Sequence, residues 1–346
     1  MSNRKLVLVG ITITGSVLTG CGNSFATAHF VTSSSSHLFD ETSVHTPIAL
    51  QTELFKHFMP ESMMFISSSV GYLWGEIQNF SSGEVSGDVL KSVDGGRTWH
   101  VILKKGTAIE SLTALRSNLW VDVQTNQSAE LYRSTNDGRN FILASKQNLT
   151  DMDFTSVHDG WAVRAGDGLH TQLMQTRNGG RTWISAIPPH APMWLNPVTV
   201  DFSNRMNGYL VGASEPGTGQ QGKALWYSTN GGRTWSLVSE VNINERSGRY
   251  TLGAGGYVGG FEVVPSHPSF AYLWESRGPL LYTSDSGKRW TSSNLTKPDW
   301  IEARGVSMVY VTRGFMLLQD MGDGEFLLER TSNGGRTWSP IYRWSY

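Results

Sequence analysis

Short apolar alternations, and no long helical repeat, set the rhythm of this sequence. Two apolar residues flanking a variable one, then a polar gap, then Gly before an aromatic residue recur through the chain. They occur at Met63-Met-Phe65 to Gly71-Tyr72, Met152-Asp-Phe154 to Gly160-Trp161, Val200-Asp-Phe202 to Gly208-Tyr209 and Val306-Ser-Met308 to Gly314-Phe315. A period of two puts the flanking residues on one face of a strand, and the polar gap returns the chain as a second strand. Looser versions run through Asn118-Leu-Trp120 and Tyr272-Leu-Trp274.

Each strand pair is followed by one octapeptide. The six copies are Ser92-Val-Asp94-Gly-Gly96-Arg-Thr98-Trp99, Ser134-Thr-Asn136-Asp-Gly138-Arg-Asn140-Phe141, Thr176-Arg-Asn178-Gly-Gly180-Arg-Thr182-Trp183, Ser228-Thr-Asn230-Gly-Gly232-Arg-Thr234-Trp235, Thr283-Ser-Asp285-Ser-Gly287-Lys-Arg289-Trp290 and Thr331-Ser-Asn333-Gly-Gly335-Arg-Thr337-Trp338. Their Asp or Asn positions are 42, 42, 52, 55 and 48 residues apart, close to the roughly 40 to 50 residues of a four-stranded propeller blade. The Asp or Asn oxygen accepts from backbone N–H groups just ahead, Gly supplies a positive φ, and the aromatic residue starts the returning strand. Four of the six acceptors are Asn. An amide keeps the acceptor and loses the basicity of a carboxylate, so these residues are read as turn locks and not as catalysts. The expectation is an all-β chain, a six-bladed propeller of four-stranded antiparallel blades, with seven blades as the alternative if residues 44 to 58 supply another.

Composition agrees with short strands and tight turns: 38 Gly and 13 Trp in 346 residues, with 16% charged. Lys and Arg number 28 against 29 Asp and Glu, without a basic run, which argues against a nucleic-acid partner because that binding draws on phosphate neutralisation.

The octapeptides resemble Asp-boxes, the BNR repeats of sialidases, sortilin-type receptors, some glycoside hydrolases and photosystem II assembly factors. Across residues 60 to 343 the repeat is most similar to the photosystem II stability/assembly factor family, usually described as seven-bladed. That resemblance implies a non-catalytic propeller that binds a protein or membrane protein complex. Sialidases would bring an Arg-Ile-Pro segment ahead of the first box, and no Arg here precedes Ile-Pro. A carbohydrate-binding or glycoside-hydrolase propeller is the alternative, with Glu110, Asp151, Asp153 and Glu302 as candidate acids; otherwise they are solvated loop acids.

Other motifs fail on context. Gly217-Thr-Gly219-Gln-Gln-Gly222 spells a dinucleotide fingerprint but joins two strands without the helix that phosphate binding needs, so it reads as a flexible loop. The nine His lack metal spacing, and the acidic Asp320 to Glu325 hairpin lacks alternating calcium ligands. No cofactor or metal is expected.

Arg4 and Lys5, an uncharged stretch from Leu6 to Thr19 and then Leu18-Thr19-Gly20-Cys21 resemble a bacterial lipoprotein signal, with the chain's single cysteine, Cys21, as the lipidation site. The expected organisation is a signal peptide over 1–20, a lipidated Ser/Thr-rich tether over 21–47 and the propeller over 48–346. Export and lipid anchoring outside the cytoplasmic membrane or on the cell surface follow. Binding is expected in the long loops opposite the boxes, on His190, Trp194, Arg246, Arg249, Tyr250, Trp300 and Arg304, because Trp, Tyr and Arg most often anchor interfaces.

Overall fold

The computed structural model describes residues 53–345, except 80, 167–169, 187–195, 243–251, 254, 277 and 294–300. The signal segment, Cys21 and the tether lie outside the described residues. Six four-stranded sheets follow one another along the chain, each antiparallel and paired in chain order. Blade 1 comprises β1 (Phe58–Phe65), β2 (Gly71–Asn79), β3 (Glu84–Ser92) and β4 (His100–Lys104). Blade 2 comprises β5 (Ala108–Leu115), β6 (Asn118–Gln124), β7 (Ala129–Ser134) and β8 (Ile142–Ser145). Blade 3 has β9 (Leu149–Phe154), β10 (Gly160–Ala165), β11 (Thr171–Thr176) and β12 (Ile184–Ala186), and blade 4 has β13 (Asn196–Phe202), β14 (Gly208–Ala213), β15 (Lys223–Ser228) and β16 (Ser236–Val241). Blade 5 has β17 (Tyr257–Val263), β18 (Ala271–Ser276), β19 (Leu280–Thr283) and β20 (Thr291–Ser292), and blade 6 has β21 (Ile301–Tyr310), β22 (Arg313–Asp320), β23 (Glu325–Thr331) and β24 (Ser339–Ser345).

The fold is a six-bladed propeller. Among the described residues the stretch before β1 adds no sheet for a seventh blade: Glu53 to Phe55 form a helical turn. Phe55 packs its ring 4.6 Å from Trp344 and 5.0 Å from Tyr342. Blade 6 meets blade 1 directly. The Ser62 hydroxyl donates to Arg304 O at 3.0 Å, Phe65 N donates to Ser307 Oγ at 2.8 Å, and Phe65 stacks on Phe315 at 3.6 Å.

Burial falls from the middle of each blade outward. The second strands β14 and β22 are buried along nearly their whole length, whereas the outermost β4, β8 and β12 are largely exposed. A strand covered by blades on both sides needs apolar residues on both faces, which is why Phe315-Met-Leu-Leu318 shows no alternation.

The Gly before each aromatic residue answers the bulk of the inner strand. Phe65, Phe154, Phe202 and Met308 lie opposite Gly71, Gly160, Gly208 and Gly314, and a Cβ on Gly208 would sit 2.4 Å from the Phe202 ring. Blades 2 and 5 are looser because the inner residue is smaller: Ala114 lies opposite Leu119 and Val263 opposite Ala271. Volume is conserved across the pair.

The boxes hold their turns with side-chain oxygens. Asp94 Oδ1 accepts from Arg97 N and Thr98 N at 3.0 and 2.9 Å, Ser92 Oγ accepts from Gly96 N at 2.9 Å, and Trp99 Nε1 donates to Gly96 O at 3.0 Å. Asn178 Oδ1 accepts from Thr182 N at 2.9 Å, while its amide donates to Thr182 Oγ1 at 2.8 Å. The second box glycine also makes room for the preceding blade: a Cβ on Gly232, at φ +79°, would lie 2.3 Å from the Trp161 ring. Asn178→Asp is therefore expected to cost less than about 1 kcal/mol, since the oxygen that accepts is kept, and Gly232→Ala about 2 kcal/mol from strain and overpacking. Urea midpoints of the two variants check the order.

In all six blades the box hydrogen-bonds to the turn between the first and second strands. Gly95 N donates to Ser69 O, Asp137 N to Ser117 O, Gly179 N to His158 O, Gly231 N to Met206 O, Ser286 N to Ser269 O and Gly334 N to Thr312 O, all at 2.8 to 3.1 Å. These turns and the boxes form one face of the disc; the second-to-third-strand turns and the crossovers form the other.

Candidate functional site: the crossover mouth of the central channel

The inner strands β1, β5, β9, β13, β17 and β21 enclose a cavity of 690 Å³ to which every blade contributes. Each inner strand carries a register break against its neighbour at the same place. A bulge bends its strand and re-aims a side chain. The extra residues are Glu61, Glu110, Thr150, Val198, Gly259 and Arg304, and all six line the cavity. They form the outermost tier, toward the crossover end, because the inner strands begin there.

Below them lie Ser62, Ser111, Asp151, Thr199, Gly260 and Gly305. Deeper still, two residues on, are Met64, Thr113, Asp153, Asp201, Glu262 and Ser307. This deepest tier stitches the ring. Asp153 Oδ2 accepts from Phe202 N at 2.9 Å, Asp201 Oδ2 from Val263 N at 2.6 Å, Glu262 Oε1 from Met308 N at 2.6 Å and Ser307 Oγ from Phe65 N at 2.8 Å. In each case a blade's side chain bonds the inner strand of the next blade, one residue past its counterpart. Asp151 Oδ2 does the same one tier up with Val200 N at 2.7 Å.

Burial dominates the ionisation of these acids. It pushes Asp151 up to about 6, and burial with the neighbouring Asp151 charge pushes Asp153 up to about 7. Asp201 and Glu262 are raised well above the carboxylate range, first by burial and then by the adjacent carboxyls. Asp122, which accepts from Leu149 N at 3.1 Å, is pushed to about 7, again mainly by burial. At the mouth, burial and the Glu61 charge raise Glu110. Seven carboxyl residues and two arginines, Arg116 and Arg304, line the cavity.

A built loop borders this mouth. Residues 214–222 join β14 to β15 and line the cavity through Ser214, Glu215, Pro216 and Gln221. Gly217 N donates to Gln220 O at 2.8 Å, Tyr257 Oη donates to Gly217 O at 2.8 Å, and Val258 N donates to Gln221 Oε1 at 2.8 Å. The Gly-rich segment is thus pinned and not the flexible loop its composition suggests. Beside it Lys223 is fully buried, its ammonium 2.8 Å from Glu275 Oε1 and donating to Gly253 O and Gly255 O at 2.8 and 2.7 Å.

The sequence placed two groups of residues differently. Arg304 is not in a crossover: it is the bulge residue of β21, and its Nε donates to Gln319 Oε1 at 2.7 Å. Asp151 and Asp153 are not solvated loop acids, since both sit within β9 and serve the next blade. Glu110 lies on β5 at the mouth, and Glu302 accepts from Ser276 Oγ at 3.0 Å. His190, Trp194, Arg246, Arg249, Tyr250 and Trp300 lie outside the described residues. Sequence reasoning missed Glu61, Asp201, Glu262, Lys223 and Glu275. Asp201 and Glu262 occupy the variable position between two apolar residues, the same place as Asp153, and that alignment could have found them.

The family model for the BNR/Asp-box repeat matches residues 226–237, across the fourth box. The chain is a six-bladed β-propeller that carries a BNR/Asp-box repeat. No curated protein sequence is matched. Among solved structures, YCF48 bound to D1 peptide is similar at 14% identity and TM-score 0.50, covering 82% of this chain and 81% of that one. YCF48 from Cyanidioschyzon merolae is similar at 12% and 0.50, covering 82% and 85%. The GH74 xyloglucanase from Xanthomonas campestris reaches 15% and 0.54, covering 84% of this chain and 47% of its own. At these identities the likeness is one of fold.

Proposed function

We propose that this propeller is an exported, lipid-anchored, non-catalytic scaffold that takes a cationic segment of a partner protein at the crossover mouth of its channel. The observation that carries the reading is the use to which the inner carboxyls are put. Asp151, Asp153, Asp201 and Glu262 each spend an oxygen on the next blade's backbone, so they hold the ring and offer no free acid and base pair. What remains at the mouth is a rim with Glu61, Glu110 and Glu215 against Arg304. The peptide-bound state of the similarly folded YCF48 supports a polypeptide ligand, and the leader ending in Cys21 supports the anchor.

Enrichment of one partner from the organism's own membranes by the intact chain, lost when Glu61→Gln and Glu110→Gln are combined, is the expected result. A partner retained at full strength by that double variant would refute the mouth as the binding surface. For the anchor, Cys21→Ala should abolish acylation, read by intact mass.

One observation favours a second reading. Glu110 is raised by burial and by the Glu61 charge, and a carboxyl raised in this way is what the acid of glycosidic chemistry requires. Glycan turnover that disappears in Glu110→Gln would replace the scaffold reading with a hydrolase.

A further inference from the structure

The box turn needs a hydroxyl, an acceptor, two residues of positive φ and an aromatic ring. The residue after the second glycine is exposed in every blade, although the Arg97 guanidinium donates to Asp94 O at 2.8 Å within its box. That residue is Arg97, Arg139, Arg181, Arg233, Lys288 and Arg336: a cation in all six blades. Together the boxes and the turns they bond to carry ten Arg or Lys against four Asp, while the described turns and crossovers of the opposite face carry two of each sign. Two of those four aspartates, Asp94 and Asp285, already accept backbone N–H groups within their boxes.

Apolar tips stand among these cations. Val93, Val157 and Met206 in the turns, and Tyr310 beside one, are 58%, 38%, 50% and 54% exposed. They are spread over blades 1, 3, 4 and 6 and do not gather into one patch. A protein interface concentrates its apolar anchors in a packed centre. A bilayer surface accepts separate apolar side chains at headgroup depth while anionic headgroups pair with surrounding Lys and Arg.

We propose that the box face is a docking surface for an anionic phospholipid membrane, held by its ring of cations and its separated apolar tips. It is distinct from the crossover mouth and from acylation at Cys21, and it places the mouth on the side facing away from the lipid.

The test is co-sedimentation of the full chain with vesicles of phosphatidylcholine alone or mixed with phosphatidylglycerol in equal parts. A triple variant, Arg97→Gln, Arg181→Gln and Arg233→Gln, is compared with Lys105→Gln, Lys146→Gln and Arg343→Gln, which removes the same charge from the opposite half; the N-terminal segment is common to all. The parent is expected to prefer the anionic vesicles and to be released by salt. The box triple should bind roughly a hundredfold more weakly, at about fivefold per cation, and the control triple like the parent. Equal weakening by both triples, or no preference for anionic vesicles, overturns the proposal. Arginine-dependent capture by immobilised polyglutamate without vesicle binding overturns it in favour of an acidic protein.

Discussion

Trp120→Ala is expected to destabilise the chain by about 4 kcal/mol, as truncation of a fully buried Trp does. Trp120 has no exposed surface, stacks on Phe154 of the next blade at 3.8 Å and donates from Nε1 to Gly179 O at 3.1 Å. The guanidinium of Arg133 lies 4.9 Å from the ring centre. One substitution thus removes the stack and the bond across the seam between blades 2 and 3, and with them the cation contact to Arg133 within blade 2. Trp120→Phe, which keeps the stack, is expected to cost about 1 to 2 kcal/mol. Trp183→Ala should cost roughly half of the Trp120 loss, because Trp183 is only half-buried. Equal urea midpoints for Trp120→Ala and Trp183→Ala would mean that the seam does not carry the load assigned to it.

Thermal stability is expected to fall as pH rises from 5 to 8, opposite to the usual trend for salt-bridged carboxylates. Burial raises Asp151 to about 6 and Asp122 and Asp153 to about 7, and it also raises Asp201 and Glu262 well above the carboxylate range. Unfolded carboxyls titrate near 4. Between about pH 4 and 7 the folded chain therefore holds protons that the unfolded chain has released, and stability drops through that window. Each such proton, held over two to three pH units, is worth on the order of 3 to 4 kcal/mol, or about 5 °C in the unfolding midpoint. Asp94 and Asp285 work in the other direction. Burial alone would raise them, but hydrogen bonds from Thr98 and Arg289 hold them low, so their contribution is lost only as pH falls below about 4.

Asp153→Asn and Asp201→Asn retain an oxygen for Phe202 N and Val263 N while removing the charge. Both should raise the midpoint at pH 8 and change it little at pH 5. A midpoint that climbs with pH, or Asn variants that melt lower at pH 8, would show that these carboxyls are ionised at no cost.

The repeat was legible because it is local. Ser or Thr, Asp or Asn, Gly and Trp act within eight residues, and the Phe opposite Gly lies across a single turn, so both leave a linear signature. Boxes 2 and 5 put Asp137 and Ser286 where the others have Gly, at φ 64° in each case; the turn tolerates the exchange and the box stays readable. The site was less legible because its bonds are remote. Asp153 serves a backbone N–H 49 residues away and Asp201 one 62 residues away, and a donor of that kind has no residue type to announce it. Arg304 was misplaced because a bulge cannot be read from alternation: it inserts a residue just where a crossover would be expected to continue. Lys223 is an exposed type by composition, and the Glu275 carboxylate with the carbonyls of Gly253 and Gly255 explains its burial.

The meeting of blades 6 and 1 has a consequence for how the chain reaches its final form. Every sheet takes its four strands from one continuous stretch, so no strand near the start must wait for a partner near the end. Each blade has its own hairpins complete as soon as its last strand is available. Among the described residues, only the joint between blades 6 and 1, which includes Phe55 against Trp344 and Ser62 and Phe65 against Arg304, Ser307 and Phe315, spans the length of the chain. A polypeptide emerging from the ribosome assembles progressively from its leading end, leaving a single late step in which an open arc snaps shut. Moving the ends to another blade boundary, with residues 53 and 345 joined by a short linker, would then shift that final step without altering the finished ring.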